Sequence, residues 1–471
     1  MRVVVIGGGP AGALCAIALA RRNHDVSLHE ARSEAECCDG DAAAAADSGS
    51  RTISLALSER GLAALRAIDP ALERRVLALG VPMRARMVHP PGAAATAAAA
   101  AAAAAVDVPF TACADVRDVL HAVSRAALTR VLLEAAEAAG VRVSVGARLE
   151  DASVVGERWA RFAGADARVP FDLLVGADGA YSRVRSALAR DARIDVSVCY
   201  AALEYKELTL TTDAVPASAA PALSRARLHA WPRGACMLLA MPDAADARTF
   251  TAMLTLPRHA AGSGAPVFAQ LVDDAHVIEF FERTFPDAYV HTRALLDTWR
   301  RNPAQPYVTA LASPAYGPAG PRACCVLVGD AAHATTPFLG QGANAALHDA
   351  LRLARCVDEA PSLEVALASF SRACCADGAE LVRLSAQHYA AQRAMASPLY
   401  RAWCALENWI ERASGRRYRT RGSLVAFTAT PYAEIEPRVR AQRRRVVGVV
   451  GVVGVVACAV GACVYAWVRM A

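Results

Sequence analysis

The sequence predicts an α/β fold in which a Rossmann-like domain is interleaved with a mainly antiparallel β domain, followed by a helical C-terminal region and a transmembrane tail. Three observations predict it. An apolar strand runs into a glycine-rich turn near the N-terminus, residues 200–257 alternate as antiparallel strands do, and a long apolar segment closes the chain. A length of 471 residues exceeds what one hydrophobic core usually supports, so two packed domains are expected.

The first element is a buried strand at Arg2–Ile6, with the continuous apolar pattern of a parallel sheet. The turn Gly7-Gly-Gly-Pro-Ala-Gly12 follows it, and Ala13–Arg22 has the pattern of a helix. A second strand, Asp25–Glu30, ends in an acidic residue. Strand, glycine turn, helix and acidic strand end together indicate a dinucleotide site.

Each glycine of this turn has its own expected role. Gly7 makes the tight turn, Gly9 lets the backbone approach a pyrophosphate, and Gly12 lets the helix pack on the strand. The phosphates would lie at the helix N-terminus, and Glu30 would accept hydrogen bonds from a ribose. Because this fingerprint opens the chain and no second one is found, we expect FAD here. A nicotinamide cofactor would bind outside a Rossmann half.

Later elements follow from the same patterns. Strands are expected at 141–145 and within 172–179 and 324–330. Helices are expected at 277–285 and 292–300, from about Gly342 through Leu351, and between 363 and about 417. The alanine run 93–105 is read as a surface insertion.

The composition excludes several classes. Hydrophobic residues make up 55% and charged residues 20%, which excludes a disordered chain. A net charge of +6, almost all from arginine, does not indicate nucleic-acid binding. The 14 cysteines show no spacing that suits zinc, so we expect no metal and reduced, mostly buried thiols.

Three separated segments carry a family resemblance: Gly7–Gly12 with Glu30, Gly176–Arg185 and Gly329–Asn344. In this order they resemble the flavoprotein aromatic hydroxylases. Further segments are similar to the kynurenine 3-monooxygenase family, among them Arg51–Gly61, Gly80–His89, Tyr205–Thr209, Leu228–Arg233 and Phe280–Ala288. The resemblance covers nearly the whole chain.

The resemblance implies a division into parts. Residues 1–80, 111–195 and 316–362 would form the FAD-binding part, 81–110 a substrate-side segment with the alanine-rich insertion, 196–315 the antiparallel substrate domain, 363–437 the helical C-terminal region and 446–468 the transmembrane tail.

It also implies a flavin site. The residues expected to contact FAD are Gly7, Gly9, Ala11, Gly12, Glu30, Ala31, Arg32, Ala56, Arg125, Leu149, Asp178, Asp330, Gly342, Ala343 and Asn344. Asp178 and Asp330 could each only cap a turn instead. Pro337 and Phe338 would form an apolar wall between substrate and flavin, and no residue is assigned as a catalytic acid or base.

For the substrate, the family clamps an amino-acid carboxylate with an arginine that matches Arg86, which could otherwise be a surface arginine. The family's two tyrosines fall on Phe110 and near Gly422, and its Asn and Glu fall on His388 and Ala391. Three of these four positions lack the family's polar group. His388 could take over a hydrogen bond or be structural. A buried polar group without its partner costs about 1–3 kcal/mol, so these changes could redirect substrate binding.

The implied reaction is hydroxylation of L-kynurenine to 3-hydroxykynurenine, in which NADPH reduces the flavin and O₂ forms a C4a-hydroperoxyflavin. The protein would supply orientation and a dry cavity. Two alternatives stay open: hydroxylation of another aromatic acid, and a flavin-binding protein without hydroxylase activity. The oligomeric state is left open.

The last expected element is the tail. Val446–Val468 offers roughly the 20 apolar residues that cross a bilayer, and arginines at 438, 440, 443, 444 and 445 precede it. By the positive-inside rule the catalytic body would be cytosolic. The family resemblance implies the mitochondrial outer membrane, which residue patterns do not distinguish from the endoplasmic reticulum.

Overall fold

The structure is a computed structural model that describes residues 1–33, 54–91, 105–110, 118–212, 223–259, 266–292 and 295–446. Its strands are β1 (Arg2–Ile6), β2 (Asp25–His29), β3 (Ser54–Leu57), β4 (Val81–Met83), β5 (Ala85–Val88), β6 (Val106–Pro109), β7 (Leu120–Ser124), β8 (Arg142–Ser144), β9 (Leu149–Ser153), β10 (Trp159–Phe162), β11 (Arg168–Pro170), β12 (Leu173–Gly176), β13 (Asp195–Thr211), β14 (Arg227–Arg233), β15 (Cys236–Pro242), β16 (Thr249–Pro257), β17 (Gln305–Ser313), β18 (Tyr316–Gly317) and β19 (Cys325–Leu327).

The helices are α1 (Pro10–Ala20), α2 (Glu59–Ile68), α3 (Pro70–Ala78), α4 (Arg125–Ala138), α5 (Arg183–Ala192), α6 (Asp274–Thr284), α7 (Pro286–Tyr289), α8 (Leu295–Arg301), α9 (Asp330–His333), α10 (Gly342–Glu359), α11 (Leu363–Ala394), α12 (Pro398–Ala413) and α13 (Arg421–Ala426). Residues 432–446 are also helical.

A six-stranded sheet in the order β18-β19-β12-β1-β2-β8 forms the first layer. Its strands are parallel except β18, which pairs antiparallel with β19. Helix α1 is buried along almost its whole length, because it packs on this sheet and also contacts α4 and α10. The predicted Rossmann-like α/β part is therefore present, with its strand ends meeting at one edge.

A seven-stranded sheet in the order β17-β13-β16-β15-β14-β5-β6 forms the second part. Most of its pairs are antiparallel, whereas β5 pairs parallel with β14. One face packs on the helices between β16 and β17 through a core that includes Trp231, Phe250, Phe281 and Phe285. The alternation in residues 200–257 thus correctly predicted an antiparallel sheet.

The C-terminal region is helical, but the expected continuous pattern from 363 to about 417 is two helices. Helix α11 ends at Ala394, and α12 begins with Pro398 at its first position after the extended N-cap Ser397. Proline disfavours helical backbone in the residue before it, which explains the break at this point.

The prediction of a transmembrane tail is corrected by the structure. No helix among the described residues is long and apolar enough to cross a membrane. Residues 447–471, which carry nearly all of the predicted segment Val446–Val468, lie outside the described part of the chain. So do residues 92–104, which include all of the alanine run 93–105 except its last residue. The described helix at 432–446 contains five arginines, which a bilayer core disfavours. The membrane as a partner and the C-terminal anchorage are withdrawn with the tail.

Candidate cofactor and substrate site

The three motif segments meet at the carboxyl edge of the six-stranded sheet. Gly7 follows β1 with φ +102°, and a Cβ built on it would lie 2.4 Å from the carbonyl oxygen of Ala177, which follows β12. Gly329 follows β19, and a Cβ there would lie 3.2 Å from the Cβ of Ala11. In open α/β sheets ligands bind in the crevice outside these strand ends.

The glycines of the first turn differ in their surroundings. A Cβ on Gly12 would lie 1.9 Å from the carbonyl oxygen of Gly7, so helix and turn are in direct backbone contact. A Cβ on Gly9 would meet nothing within 4 Å, and the φ of Gly9 is an ordinary −64°. Space for a ligand therefore lies directly beside Gly9, at the N-terminus of α1.

Glu30 is buried at the end of β2. Its Oε2 accepts a hydrogen bond from the backbone N–H of Gly8 at 2.6 Å, and its Oε1 accepts from the backbone and Nε of Arg32 at 2.9 and 3.0 Å. Burial alone would raise the pKa of Glu30, but these donors outweigh it and hold the pKa below its usual value. An ionised carboxylate is thus fixed beside the glycine turn.

Two further predicted residues lie near Glu30 with different exposure. Ala31 is partly exposed, whereas Leu149 on β9 belongs to the hydrophobic core. The segment before Leu149 runs beside β2, because the N–H of Ala147 donates to the carbonyl of Glu30 at 2.8 Å.

The two motif aspartates have different surroundings. The carboxylate of Asp178 accepts from Ser182 Oγ at 2.5 Å and from the N–H groups of Arg183 and Val184 at 2.7 and 3.1 Å, so it holds the start of α5. Burial raises the pKa of Asp178. Asp330, by contrast, lines the main cavity. Of the two, only Asp330 is placed to meet a ligand with its side chain.

Asn344 is fully buried, and its side chain is used within the protein. Its Oδ1 accepts from the N–H of Ser58 at 2.8 Å, and its Nδ2 donates to the carbonyls of Ala56 and Gly340, each at 2.9 Å. This joins β3 to the start of α10. The first N–H groups of a helix have no partner inside it, and those of α10 open onto the cavity at its lining residues Gly342 and Ala343.

A cavity of about 640 Å³ extends from the N-terminus of α10 into the space between the seven-stranded sheet and the C-terminal helices. The sequence-predicted residues that line it are Ala56, Arg86, Phe110, Arg125, Asp330, Pro337, Phe338, Gly342, Ala343, His388, Ala391 and Gly422. Residues predicted on the flavin side and residues predicted on the substrate side therefore line one continuous cavity. The other predicted residues do not line it, namely Gly7, Gly9, Ala11, Gly12, Glu30, Ala31, Arg32, Leu149, Asp178 and Asn344.

Strand register builds one wall of the cavity. The lining residues Glu207, Met253 and Leu239 are successive cross-strand neighbours on β13, β16 and β15. Arg86 on β5 lies between Val108 and Leu228. The opposite side comes from residues at helical spacing, namely Leu384, His388 and Ala391 of α11 and Tyr400, Cys404 and Glu407 of α12.

Arg86 is an interior cation without a carboxylate partner among the residues that the structure describes. Its Nη2 lies 3.4 Å from Nε2 of His388, and its Nε is buried without a hydrogen bond. Desolvation lowers the pKa of Arg86, and desolvation with the nearby Arg86 charge lowers the pKa of His388 to about 3. His388 is therefore neutral near pH 7, so it does not compensate the arginine.

The apolar wall is also in place. Pro337–Leu339 forms a short 3-10 helix, and the ring of Phe338 lies 4.9 Å from Tyr307 and 4.4 Å from Tyr389. The rings of Tyr205, Tyr307 and Phe338 line the cavity, and Tyr389 packs against the same hydrophobic cluster.

Several lining residues were missed from the sequence. The alternation of β13 could have shown that Tyr205 and Glu207 share a face. No sequence pattern indicated Tyr400 and Cys404, because they belong to a helix whose position depends on the break before Pro398.

His333 of the Gly-Asp motif is buried away from the cavity lining, in a cluster with Asp349 and Cys374 that could hold a metal ion by composition. Its Nε2 lies 2.5 Å from Oδ2 of Asp349. Two atoms that bind one zinc ion lie about 3 Å or more apart, so this distance fits a hydrogen bond. Burial would lower the pKa of His333, but Asp349 raises it well above its usual value. Because Asp349 also accepts from the N–H of Gly329 at 3.1 Å, the pair holds the turn before Asp330.

Comparison with known proteins identifies a family model and relatives that match more than half of the chain. A family model described as FAD binding domain matches residues 1–250 and 322–360. The chain is 34% identical over 451 residues to kynurenine 3-monooxygenase of Stenotrophomonas maltophilia (strain K279a), covering 94% of this chain and 91% of that protein. It is 33% identical over 449 residues to kynurenine 3-monooxygenase of Salinispora arenicola (strain CNS-205), with coverage of 94% and 91%.

Solved structures share the fold. The 2-methyl-3-hydroxypyridine-5-carboxylic acid oxygenase matches with a TM-score of 0.60 at 21% identity, over 86% of this chain and 95% of that one. A variant of HpxO from Klebsiella pneumoniae complexed with FAD matches with a TM-score of 0.62 at 19% identity, over 88% and 98%.

The relatives also correct the predicted localisation. Stenotrophomonas and Salinispora are bacteria, which have no mitochondria. The assignment to the mitochondrial outer membrane is therefore withdrawn.

Proposed function

Because the chain belongs to the kynurenine 3-monooxygenase family of FAD-binding proteins, we propose that it hydroxylates L-kynurenine to 3-hydroxykynurenine with FAD, NADPH and O₂. The observation that carries the substrate class is Arg86. Arg86 is partly buried, its Nε is buried without a hydrogen bond, and it has no carboxylate partner among the described residues. Desolvation of such a charge is costly, and an anionic ligand in the cavity would compensate it. A planar carboxylate matches the guanidinium fork in two parallel hydrogen bonds.

The residues at the sheet edge fit FAD. The open space beside Gly9 at the N-terminus of α1 suits a pyrophosphate, and the carboxylate of Glu30 suits a ribose. Asp330 and the N–H groups of α10 at Gly342 and Ala343 suit the ribityl chain and the pyrimidine edge of the flavin. Bound FAD would supply the redox chemistry, taking electrons from NADPH and activating O₂ for transfer of one oxygen atom to the aromatic ring.

The protein's own contribution is orientation and exclusion of water. Arg86 would hold the substrate carboxylate, and the rings of Tyr307 and Phe338 would keep the aromatic end in an apolar section of the cavity. Dry surroundings suppress unproductive release of peroxide. This division of labour needs no protein acid or base.

A second candidate is hydroxylation of another aromatic acid. Phe110, Ala391 and Gly422 all line the cavity, and each lacks the polar group expected from the family resemblance. A Cβ on Gly422 would meet nothing within 4 Å, so space remains open there. A bulkier or less polar acid would fit the same Arg86 anchor.

The test is to measure NADPH oxidation, hydrogen peroxide and 3-hydroxykynurenine with and without L-kynurenine. We expect kynurenine to stimulate NADPH oxidation, with product formed in preference to peroxide. In Arg86→Lys the KM for kynurenine should rise about tenfold or more, because a point charge does not replace the bidentate fork and hydrogen bonds to charged groups are strong. Arg84→Lys, an exposed neighbour, is the matched control.

The outcomes separate the readings. Stimulation by another aromatic acid but not by kynurenine would replace the first candidate with the second. If no aromatic acid stimulates NADPH oxidation, the chain is a flavin-binding protein without hydroxylase activity.

A further inference from the structure

The end of the cavity around Arg86 contains polar groups from a helix outside the family motifs. His388 comes from α11, and Tyr400 and Cys404 come from the first two turns of α12. Tyr400 and Cys404 interact with each other, and both lie near enough to Arg86 to act on its pKa. Four side chains from three elements thus surround the site where a carboxylate would bind.

A carboxylate bound at Arg86 would need hydrogen-bond donors beyond the guanidinium. A carboxylate accepts about four hydrogen bonds, and the guanidinium fork of Arg86 supplies two of them. Phe110 and Gly422 have no side-chain donor at the positions where the family resemblance leads one to expect tyrosine hydroxyls. The remaining lone pairs of a bound carboxylate would therefore need donors from other lining residues, which include Tyr400 of α12 and Arg421 of α13.

We propose that Tyr400 is a substrate-positioning residue whose hydroxyl donates to the substrate carboxylate held by Arg86, in place of the hydroxyls missing at Phe110 and Gly422. This inference rests on the proposed function of the cavity. Tyr400 suits the task because it is neutral: burial raises the pKa of its hydroxyl, so it stays a donor. His388, also neutral, completes the site as a second donor or as an acceptor from Arg86.

The position of Tyr400 is fixed at both ends of its helix. Arg401 donates to the carbonyls of Met395 and Ala396 at 2.8 and 3.0 Å, which ties the start of α12 to the end of α11. Near its C-terminal half, Glu407 accepts from Arg443 at 2.7 Å and from the Tyr418 hydroxyl at 2.9 Å. A hydroxyl on such a fixed element can orient a ligand rather than merely contact it.

The test compares Tyr400→Phe with the wild-type enzyme on two substrates, L-kynurenine and its decarboxylated analogue kynuramine. Loss of one hydrogen bond to a carboxylate should raise the KM for kynurenine about three- to tenfold with little change in kcat. The KM for kynuramine should be unchanged, because it has no carboxylate. Trp409→Phe, on the solvent face of the same helix, should match the wild type on both substrates.

Two results would overturn the inference. One is an unchanged KM for kynurenine in Tyr400→Phe; the other is an equal loss on both substrates, which would mean that the hydroxyl acts through packing. Flavin content and Tm of each variant show that it is folded.

Failure of the proposed function is distinguishable, since the wild type would then not respond to kynurenine. In that case binding of benzoate, followed by the flavin absorbance spectrum, replaces turnover. Weaker benzoate binding by Tyr400→Phe than by Trp409→Phe supports the inference, and equal binding overturns it.

Discussion

Two glycines at the edge of the six-stranded sheet show the difference between what folding requires and what ligand binding would require. Gly12 is required by the fold, because any side chain would meet the carbonyl oxygen of Gly7. Gly9 has an ordinary φ and open space around its Cα, so the flavin-free fold makes no demand for glycine there. We propose that the ligand, rather than the fold, requires glycine at this position.

We predict that Gly9→Val folds but does not bind FAD, because the added methyl groups occupy the space for the pyrophosphate. The free energy of unfolding of its flavin-free form should lie within about 1 kcal/mol of that of the flavin-free wild type, as is usual for substitutions outside the core. Gly12→Val should lose several kcal/mol in the flavin-free form, by the cost of overpacking with backbone displacement. Urea unfolding and flavin absorbance measure the two effects. Retention of a full complement of FAD by Gly9→Val would contradict the assignment.

The sequence motifs did not distinguish side chains that would bind a ligand from side chains that bond to other residues of the protein. Asp178 and Asp330 occupy similar turns after parallel strands, yet Asp178 holds the start of α5 and Asp330 lines the cavity. The difference depends on where the next helix begins, which is a property of the surrounding chain.

At the scale of elements, Asn344 joins the start of α10 to β3. Its three hydrogen bonds reach the backbone of Ser58, Ala56 and Gly340, all close to the flavin side of the cavity. The helix N-terminus that faces the cavity is therefore held in place by a side chain rather than by packing alone.

We predict that Asn344→Ala lowers the free energy of unfolding by about 2–4 kcal/mol, because three buried backbone groups lose their partner and each such loss costs about 1–3 kcal/mol before relaxation. FAD affinity should fall as well, since α10 is released. Asn302→Ala is the matched control, because Asn302 makes one side-chain hydrogen bond, to the carbonyl of Glu207 at 2.9 Å. Urea unfolding measures the free energy of unfolding of both variants. An equal loss in the two would show that the hydrogen bonds of Asn344 between α10 and β3 do not contribute specially to stability.

For the whole molecule, the titration of buried histidines should set the stability in mild acid. His89 and His229 are buried in the antiparallel domain with 2.9 Å between Nε2 of His89 and Nδ1 of His229, and the ring of His89 stacks on Trp231 at 4.3 Å. Burial, with the charge of nearby Arg233, lowers the pKa of His89 to about 3, and burial lowers that of His229 to about 4.

The direction of this pH dependence follows from which state of the chain, folded or unfolded, binds protons on the two histidines. The unfolded chain takes up protons on these histidines below about pH 6.5, whereas the folded chain does so only near pH 3–4. Stability is therefore complete above pH 6.5 and is lost as the pH falls toward the folded pKa values. At 1.36 kcal/mol per pKa unit, the pair should cost about 2–4 kcal/mol between pH 7.5 and 5.0.

The measurement is the difference between the free energies of unfolding at pH 7.5 and 5.0, compared among variants. His229→Asn should reduce this difference, because one depressed group is removed, even if the variant is less stable at both pH values. The matched control is His259→Asn, at an exposed histidine. A pH dependence identical in His229→Asn and wild type would refute this account.

The sequence by itself determined the parts of this protein that depend on local order. Strand, glycine turn, helix and acidic strand end are contiguous, so their spacing predicted both the α/β layer and the place of the cofactor around Gly9 and Glu30. The period-two pattern similarly predicted the antiparallel sheet. Family resemblance added Arg86 and His388, which lie 302 residues apart in the sequence and within 3.4 Å of each other in the fold.

Only the tertiary structure decided which side chains reach the ligand space. It showed that Asn344 and Asp178 bond to the protein, that Phe110, Ala391 and Gly422 line the cavity, and that Tyr400 of α12 lines the same cavity as Arg86. It also gave no membrane-spanning helix among the described residues, where hydropathy had predicted a C-terminal one. Side-chain orientation and helix placement depend on packing between segments distant in sequence, and a local pattern carries no information about that packing.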